Sequence, residues 1–270
     1  MYAGTTLRRR SGKIVGVHQK IDRVARRNLT KIMPKTAHFP TTKEILRFEG
    51  KNGPDAIRYM EPVEDKPWHF IDPSKQDDKI LLGIIENHMV NLSTALKSSD
   101  NIKASFEAAW LAHAVVDGLT PAHHYPLHDK IEELWGKPRC EITGGKTKNI
   151  IRGKNRRDTV SKNWEYWGAK GVMTAHLMFE FGVATAISAD NFKNFSLSIE
   201  DVESLKKNGF EYEFMQTLHF IDSHKMYDEF GKTGWTRRLA NKTKKVLLPE
   251  IIKIVVLSWY QALTMAGLES

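Results

Sequence analysis

The chain has 270 residues, with 41 Lys and Arg against 32 Asp and Glu, a formal charge of +9 and one cysteine, Cys140. That length supports one large core, and a lone cysteine excludes an intramolecular disulfide and any CxxC metal site, so a metal would have to be held by His, Asp and Glu. The positive excess favours an anionic partner such as nucleic acid, a phospholipid surface or a phosphorylated substrate, and it says nothing about fold.

Residues 1–13 form a basic extension, MYAGTTLRRRSGK, with no apolar run of signal-peptide length behind it. The expectation is therefore a chain not exported by the usual route, cytoplasmic or of unknown location. Over residues 14–33, Ile14, Val17, Ile21, Val24, Ala25, Leu29 and Ile32 recur at helical spacing with Arg and Lys opposite, and His18 and Asp22 fall on the apolar side. Pro34 closes this helix, and residues 35–51 carry no clear pattern. Gly53-Pro54-Asp55 reads as a turn presenting a carboxylate, for which a helix N-cap is the plain explanation. The stretch Pro67-Trp68-His69-Phe70-Ile71-Asp72-Pro73 then places a histidine between aromatics in an extended, proline-bounded segment.

A second helix spans residues 78–97, with His88 assigned to packing or surface, and a third spans residues 103–119, so that the two form an antiparallel hairpin. The third helix runs into the sequence LAHAVVDGLTPAHH at residues 111–124. His113 and Asp117 are four apart, on one helical face; Gly118 stops the helix, Pro121 fixes the turn, and His123 is presented beyond it. His, carboxylate and His together suit a divalent cation such as zinc. Taken alone, an HxxxD pair in an apolar helix is more readily explained by the two pairing with each other or with a basic residue.

After a charged run containing His128 and Glu132, residues 136–163 are rich in Lys, Arg and Gly and poor in apolar residues, which predicts a basic surface excursion. From Trp164 the chain becomes apolar nearly all round, predicting one long helix that carries His176 and Glu180, again four apart. A glutamate among Met178, Phe179, Phe181 and Val183 calls for a cation, whereas Glu132 on DKIEEL is explained by solvent. His176 and Glu180 are thus the preferred partners of His123, with His128 and Glu132 as the alternative pair. Further helices cover residues 199–223 and 242–268. The apolar segment at 254–268 is diluted by Ser258, Gln261 and Thr264, so a core helix is expected and no transmembrane segment. No strand pattern competes, and the fold class is all-α, a single helical-bundle domain over residues 14–270 with long irregular loops.

In order along the chain, the candidates His18 with Asp22, Asp55, His69, His113 with Asp117, His123, and His176 with Glu180 resemble the pattern of the bacterial zinc-dependent phospholipase C family, whose fold is shared with zinc single-strand-specific nucleases. The matching pieces are a first-helix histidine with an Ile-Asp step, an Asp ahead of an HFxDP segment, HxxxD followed by PxH, and a final HxxxE. The resemblance implies two or three zinc ions. Asp55, His69, His113 and Asp117 would surround one, His123, His176 and Glu180 another, and His18 a third, with Asp117 bridging. It also implies attack on a phosphodiester by a metal-activated hydroxide, Asp55 orienting or deprotonating the water. Two departures stand out. The family uses its first residue, a tryptophan, as a ligand through amine and carbonyl, and here a basic extension with no tryptophan precedes His18. The basic stretch before His176 replaces a short loop.

The expected function is therefore a phospholipase C-like phosphodiester hydrolase acting on phospholipid headgroups. A single-strand-specific nuclease stacking bases on Trp164, Tyr166 or Trp167 is the nearest rival. A third reading is a non-catalytic basic protein that binds a membrane surface or nucleic acid through its loop, with a vestigial metal site.

Overall fold

The structure, a computed structural model, describes residues 1, 16–54, 69–75, 77–124, 127–136 and 150–268, apart from the side chains of 51, 127, 128 and 131. Among these residues the regular elements are helices and none is a strand, so the chain is all-α. In chain order they are α1 (Val17–Ile32), the short α2 (Thr42–Ile45), α3 (Ile80–Lys97), α4 (Asn101–Gly118), α5 (Leu127–Trp135), α6 (Arg156–Trp167), α7 (Val172–Ala186), α8 (Ile199–Asn208), α9 (Phe210–Ser223), α10 (Met226–Thr233), α11 (Arg237–Lys242) and α12 (Leu248–Met265).

The bundle is organised around α12. Its Ile251, Ile252, Val255, Val256 and Trp259 are fully buried, and it packs on α1, α3, α4 and α9. A π-helical turn at Thr243–Leu247 joins α11 to α12, so that Arg237–Met265 is one helical run. This run is long and apolar enough to cross a bilayer, but most of its apolar window is buried inside the molecule, which makes it a core helix. Trp259 shows how it is fixed: the indole Nε1–H donates to the carbonyl of Ala108 on α4 at 2.9 Å. α3 and α4 form the expected antiparallel hairpin and share the most extensive helix contact in the molecule. Asp100 caps α4 by accepting from the Lys103 backbone N–H at 3.0 Å. His88 is bound to Glu107 across this hairpin, Nδ1 to Oε2 at 2.7 Å, a packing role.

Two boundaries differ from the sequence expectation. A helix already begins at Arg156, inside the basic stretch, because Asn155 accepts from the Asp158 N–H at 2.9 Å and Asp158 accepts in return from the Lys154 N–H at 2.6 Å. The first bond satisfies an N–H that an uncapped first turn would leave bare, the second ties the entering chain to that turn, and together they outweigh the low apolar content. The long helix expected from Trp164 is broken at Gly168–Gly171 into α6 and α7. An added Cβ at Gly171 would lie 2.5 Å from the Tyr166 carbonyl oxygen, a turn only glycine accommodates. Residues 2–15 and 137–149, which hold most of the basic extension and half of the basic excursion, lie outside the described residues.

Candidate metal centre

Four elements converge on Asp117. α1 supplies His18, α4 supplies His113 and Asp117, the 3-10 turn Pro121–His123 supplies His123, and α7 supplies His176 and Glu180. His69 enters from the extended segment beside that turn. Asp117 can sit where it does because the next residue is glycine: a Cβ at Gly118 would lie 2.5 Å from Leu81 Cδ2 and 3.1 Å from Phe214 Cζ. The following turn is held locally, Thr120 Oγ1 donating to the Val116 carbonyl at 2.6 Å and the His123 N–H to the Thr120 carbonyl at 2.8 Å. The His69 segment is stitched to it twice. The Ile71 N–H donates to the His123 carbonyl at 3.2 Å, and His123 Nδ1 lies 2.8 Å from the His69 carbonyl oxygen.

That second contact fixes a tautomer. A carbonyl only accepts, so His123 Nδ1 carries a proton, and in neutral imidazole its Nε2 is a lone pair. Yet Nε2 points at Glu180 Oε1, another acceptor, 3.1 Å away, and His176 Nε2 meets the same oxygen at 3.1 Å. Acceptors face each other in this way when a proton or a metal cation lies between them.

The two oxygens of Asp117 look to different groups. Oδ2 is 2.8 Å from His69 Nδ1 and 3.3 Å from His113 Nε2. Oδ1 is 3.3 Å from His18 Nε2, 3.8 Å from His123 Nε2, and in contact with the amine of Met1. Met1 is itself buried, its carbonyl oxygen 2.9 Å from His18 Nε2 and its amine 3.4 Å from Glu180 Oε1. Two sets could hold a metal ion, His18 with His113 and Asp117, and His123 with His176 and Glu180, the ligand atoms of each lying within 4.8 Å of one another. Donors at about 2.0–2.1 Å from a tetrahedral zinc stand roughly 3.3 Å apart, and the 3.1–3.3 Å separations above match that spacing. The resemblance grouped His113 with His69 around one ion and set His18 apart. The geometry brings His69 Nδ1 and His113 Nε2 to the same oxygen, Oδ2, and also stacks the His18 and His113 rings face to face, centroids 3.9 Å apart, with His18 Nε2 at Oδ1.

Charge follows geometry. Burial pushes the Asp117 carboxyl up, but His123, the Met1 amine and His113 outweigh it and hold the group well below the usual carboxylate range. Burial likewise opposes ionisation of Glu180, and the same amine with His176 and His123 holds it well below its ordinary value. Burial lowers the His123 imidazole, with Asp117 opposing, which favours the neutral form a metal requires. His124, the neighbour that sequence spacing alone does not separate from His123, is turned away: its Nε2–H donates to the Gly118 carbonyl at 2.9 Å, and burial lowers it to about 4.

Of the residues expected from sequence, the structure thus brings together His18, His69, His113, Asp117, His123, His176 and Glu180. Asp55 lies outside the described residues, as does the side chain of His128. Glu132 belongs to neither metal-competent set. Sequence reasoning missed two participants. The family's first-residue ligand is a tryptophan and a basic extension precedes His18, which argues against Met1, yet the Met1 amine and carbonyl meet Asp117 and His18. Glu49, in the unpatterned 35–51 stretch, is buried with Oε1 3.5 Å from His113 Nδ1, where it would orient a metal-ligating imidazole. Compared with known protein families, curated proteins and solved structures, the chain matches none. What fold and site define together is an all-α protein with two buried His/carboxylate sets able to hold metal ions.

Proposed function

We propose that the protein is a zinc-dependent phosphodiester hydrolase of phospholipase C type. One observation carries this reading: Asp117 divides its two oxygens between two histidine groups, as a carboxylate bridging neighbouring ions does, while a second set at Glu180 stands beside it. The side chains that converge here are His, Asp and Glu, joined by the amine and carbonyl of Met1, a donor set suited to zinc and to related divalent ions. Bound zinc would supply Lewis-acid polarisation of a phosphoryl oxygen and lower the pKa of water nearby.

The chain's own residues do the rest. His123 is locked in one tautomer by the His69 carbonyl, so its Nε2 stays available at neutral pH. Asp117 and Glu180 remain ionised and offset the positive charge that would gather in a buried site. Phe70, stacked on the His123 ring with centroids 4.9 Å apart, helps keep water from that side. The resemblance implies that Asp55 orients or deprotonates the water.

Zinc-loaded protein assayed in parallel on phosphatidylcholine and on single-stranded DNA tests the reading. Release of phosphocholine that stops on chelation is expected. Cleavage of DNA alone would transfer the site to the nuclease reading, and no turnover of either with zinc bound would contradict hydrolysis.

A further inference from the structure

α6 leaves an apolar stripe in solvent. Val160, Trp164 and Trp167 follow the i, i+4, i+7 spacing of one helical face, and Val160 and Trp164 are 69% and 72% exposed. α7, packed on α6, exposes Leu177, Met178 and Phe181. These belong to the same helix that carries His176 and Glu180 into the metal centre, Leu177 following His176 and Phe181 following Glu180. Six large apolar side chains on two adjoining helices exceed the scatter of single exposed hydrophobics that a soluble surface normally shows.

Charge says what covers them. Arg156 and Arg157 are exposed and flank the Val160 face by one helical turn, and Lys170 is exposed in the turn between the helices. The nearby acids are engaged elsewhere: Asp158 accepts from the Lys154 N–H, and Glu165 pairs with Lys130 at 3.2 Å. An amphipathic face with tryptophans at its centre and arginines at its margin is the chemistry of a helix lying in an anionic bilayer interface. Valine, leucine and methionine offer no π-face to a nucleic-acid base, so single-stranded nucleic acid accounts for the tryptophans and not for the rest. In a two-fold dimer the same patch would bring Arg156 and Arg157 towards their own copies.

We infer that the α6–α7 face is the surface by which this protein seats on an anionic phospholipid membrane, Val160, Trp164 and Trp167 entering the headgroup region while Arg156 and Arg157 meet lipid phosphates. The inference deepens the phospholipase reading and rests on it for the substrate that the metal centre would meet at that interface.

Flotation of the full chain with vesicles of phosphatidylglycerol and phosphatidylcholine, in the presence of a chelator, measures docking without turnover. Wild type is expected to float with these vesicles, with tryptophan emission shifting to the blue, and binding is expected to weaken as salt rises. The double variant Val160→Asp, Trp164→Glu should bind at least about tenfold more weakly, and Arg156→Gln with Arg157→Gln about thirtyfold more weakly, at about fivefold for each charge. Both variants alter exposed positions and should melt like wild type and keep full hydrolysis of a water-soluble, short-chain phosphodiester. Absence of wild-type flotation, equal flotation of both variants, loss of a dimer on the same substitutions, or loss of oligonucleotide binding with vesicle binding intact would each overturn the inference. Flotation as expected with no hydrolysis of the soluble substrate would uphold the docking face and contradict the enzymatic reading, so the two fail separately.

Discussion

Asp117 on α4 and Asp22 on α1 are each about 1% exposed, stand near the same imidazole of His113, and end in opposite states. Asp117 is ringed by His18, His69, His113, His123 and the Met1 amine, and its carboxyl is held well below the ordinary range. Asp22 has neither oxygen hydrogen-bonded among the described residues. Burial first, and then the like charge of Glu49, push it well above the ordinary range. Burial of a carboxylate is therefore no sign of a cation site; the donors that surround it are. The same lesson corrects the reasoning that a glutamate among apolar neighbours must have a cation: Glu180 qualifies through His123 and His176, and its apolar neighbours would have left it like Asp22.

The comparison can be broken at either end. The largest effect is expected from Asp117→Asn, which removes the acceptor shared by both histidine groups. Hydrolytic activity should fall by about 10³-fold or more, the scale of several kcal/mol of lost transition-state stabilisation. The metal-free variant should also be less stable by about 3–5 kcal/mol, as when a buried ion pair loses one partner, measured by urea unfolding. Retained activity would show that Asp117 does not lie in the reaction path. Glu180→Gln should lose the His123/His176 ion and keep the one at His18 and His113, which zinc titration by calorimetry would read as one binding step fewer. Loss of every step would show the two sets to be a single site.

Gly118→Ala should cost about 1–3 kcal/mol, because the new methyl meets Leu81 and Phe214 and shifts Asp117 with them. A melting temperature equal to wild type would show that α3 and α9 yield freely there. Asp22→Asn should do the reverse in chelated protein. A carboxyl whose folded pKa lies above its unfolded value of 3.8 contributes its stability below that pH and loses it as pH rises towards the folded pKa. Asparagine cannot ionise, so the variant should gain on wild type as pH is raised from 3.8 to 7. For Asp117, whose folded value lies below 3.8, stability is instead lost as pH falls under 3.8. Parallel melting curves for Asp22→Asn and wild type at every pH would show that Asp22 does not carry that burden. The smallest change belongs to Trp164→Ala, expected within about 0.5 kcal/mol of wild type in stability, since that ring stands in solvent.

Much of this was legible from spacing. HxxxD in α4 and HxxxE in α7 are helical pairs, and helical spacing alone puts His113 with Asp117 and His176 with Glu180 on common faces. The bundle was readable for the same reason, because α3, α4 and α12 repeat apolar residues at the helical period. Non-local encounters were not readable. The resemblance points to a first-residue amine and carbonyl as ligands, but the missing tryptophan and the basic extension before His18 argue against Met1, whose contact with Asp117 spans 116 positions; Glu49 lies in a stretch with no periodicity at all. The start of α6 was hidden for a different reason: its stabilising signal is the Asn155 and Asp158 capping pair, which a composition dominated by Lys and Arg obscures.

Zinc content of the purified chain, measured by inductively coupled plasma mass spectrometry after dialysis with limiting zinc, tests the central claim most directly. At least two equivalents per chain are expected for wild type, with a clear loss in Asp117→Asn. A wild-type protein that neither retains nor rebinds metal, or an Asp117→Asn variant with undiminished zinc, would contradict the metal centre.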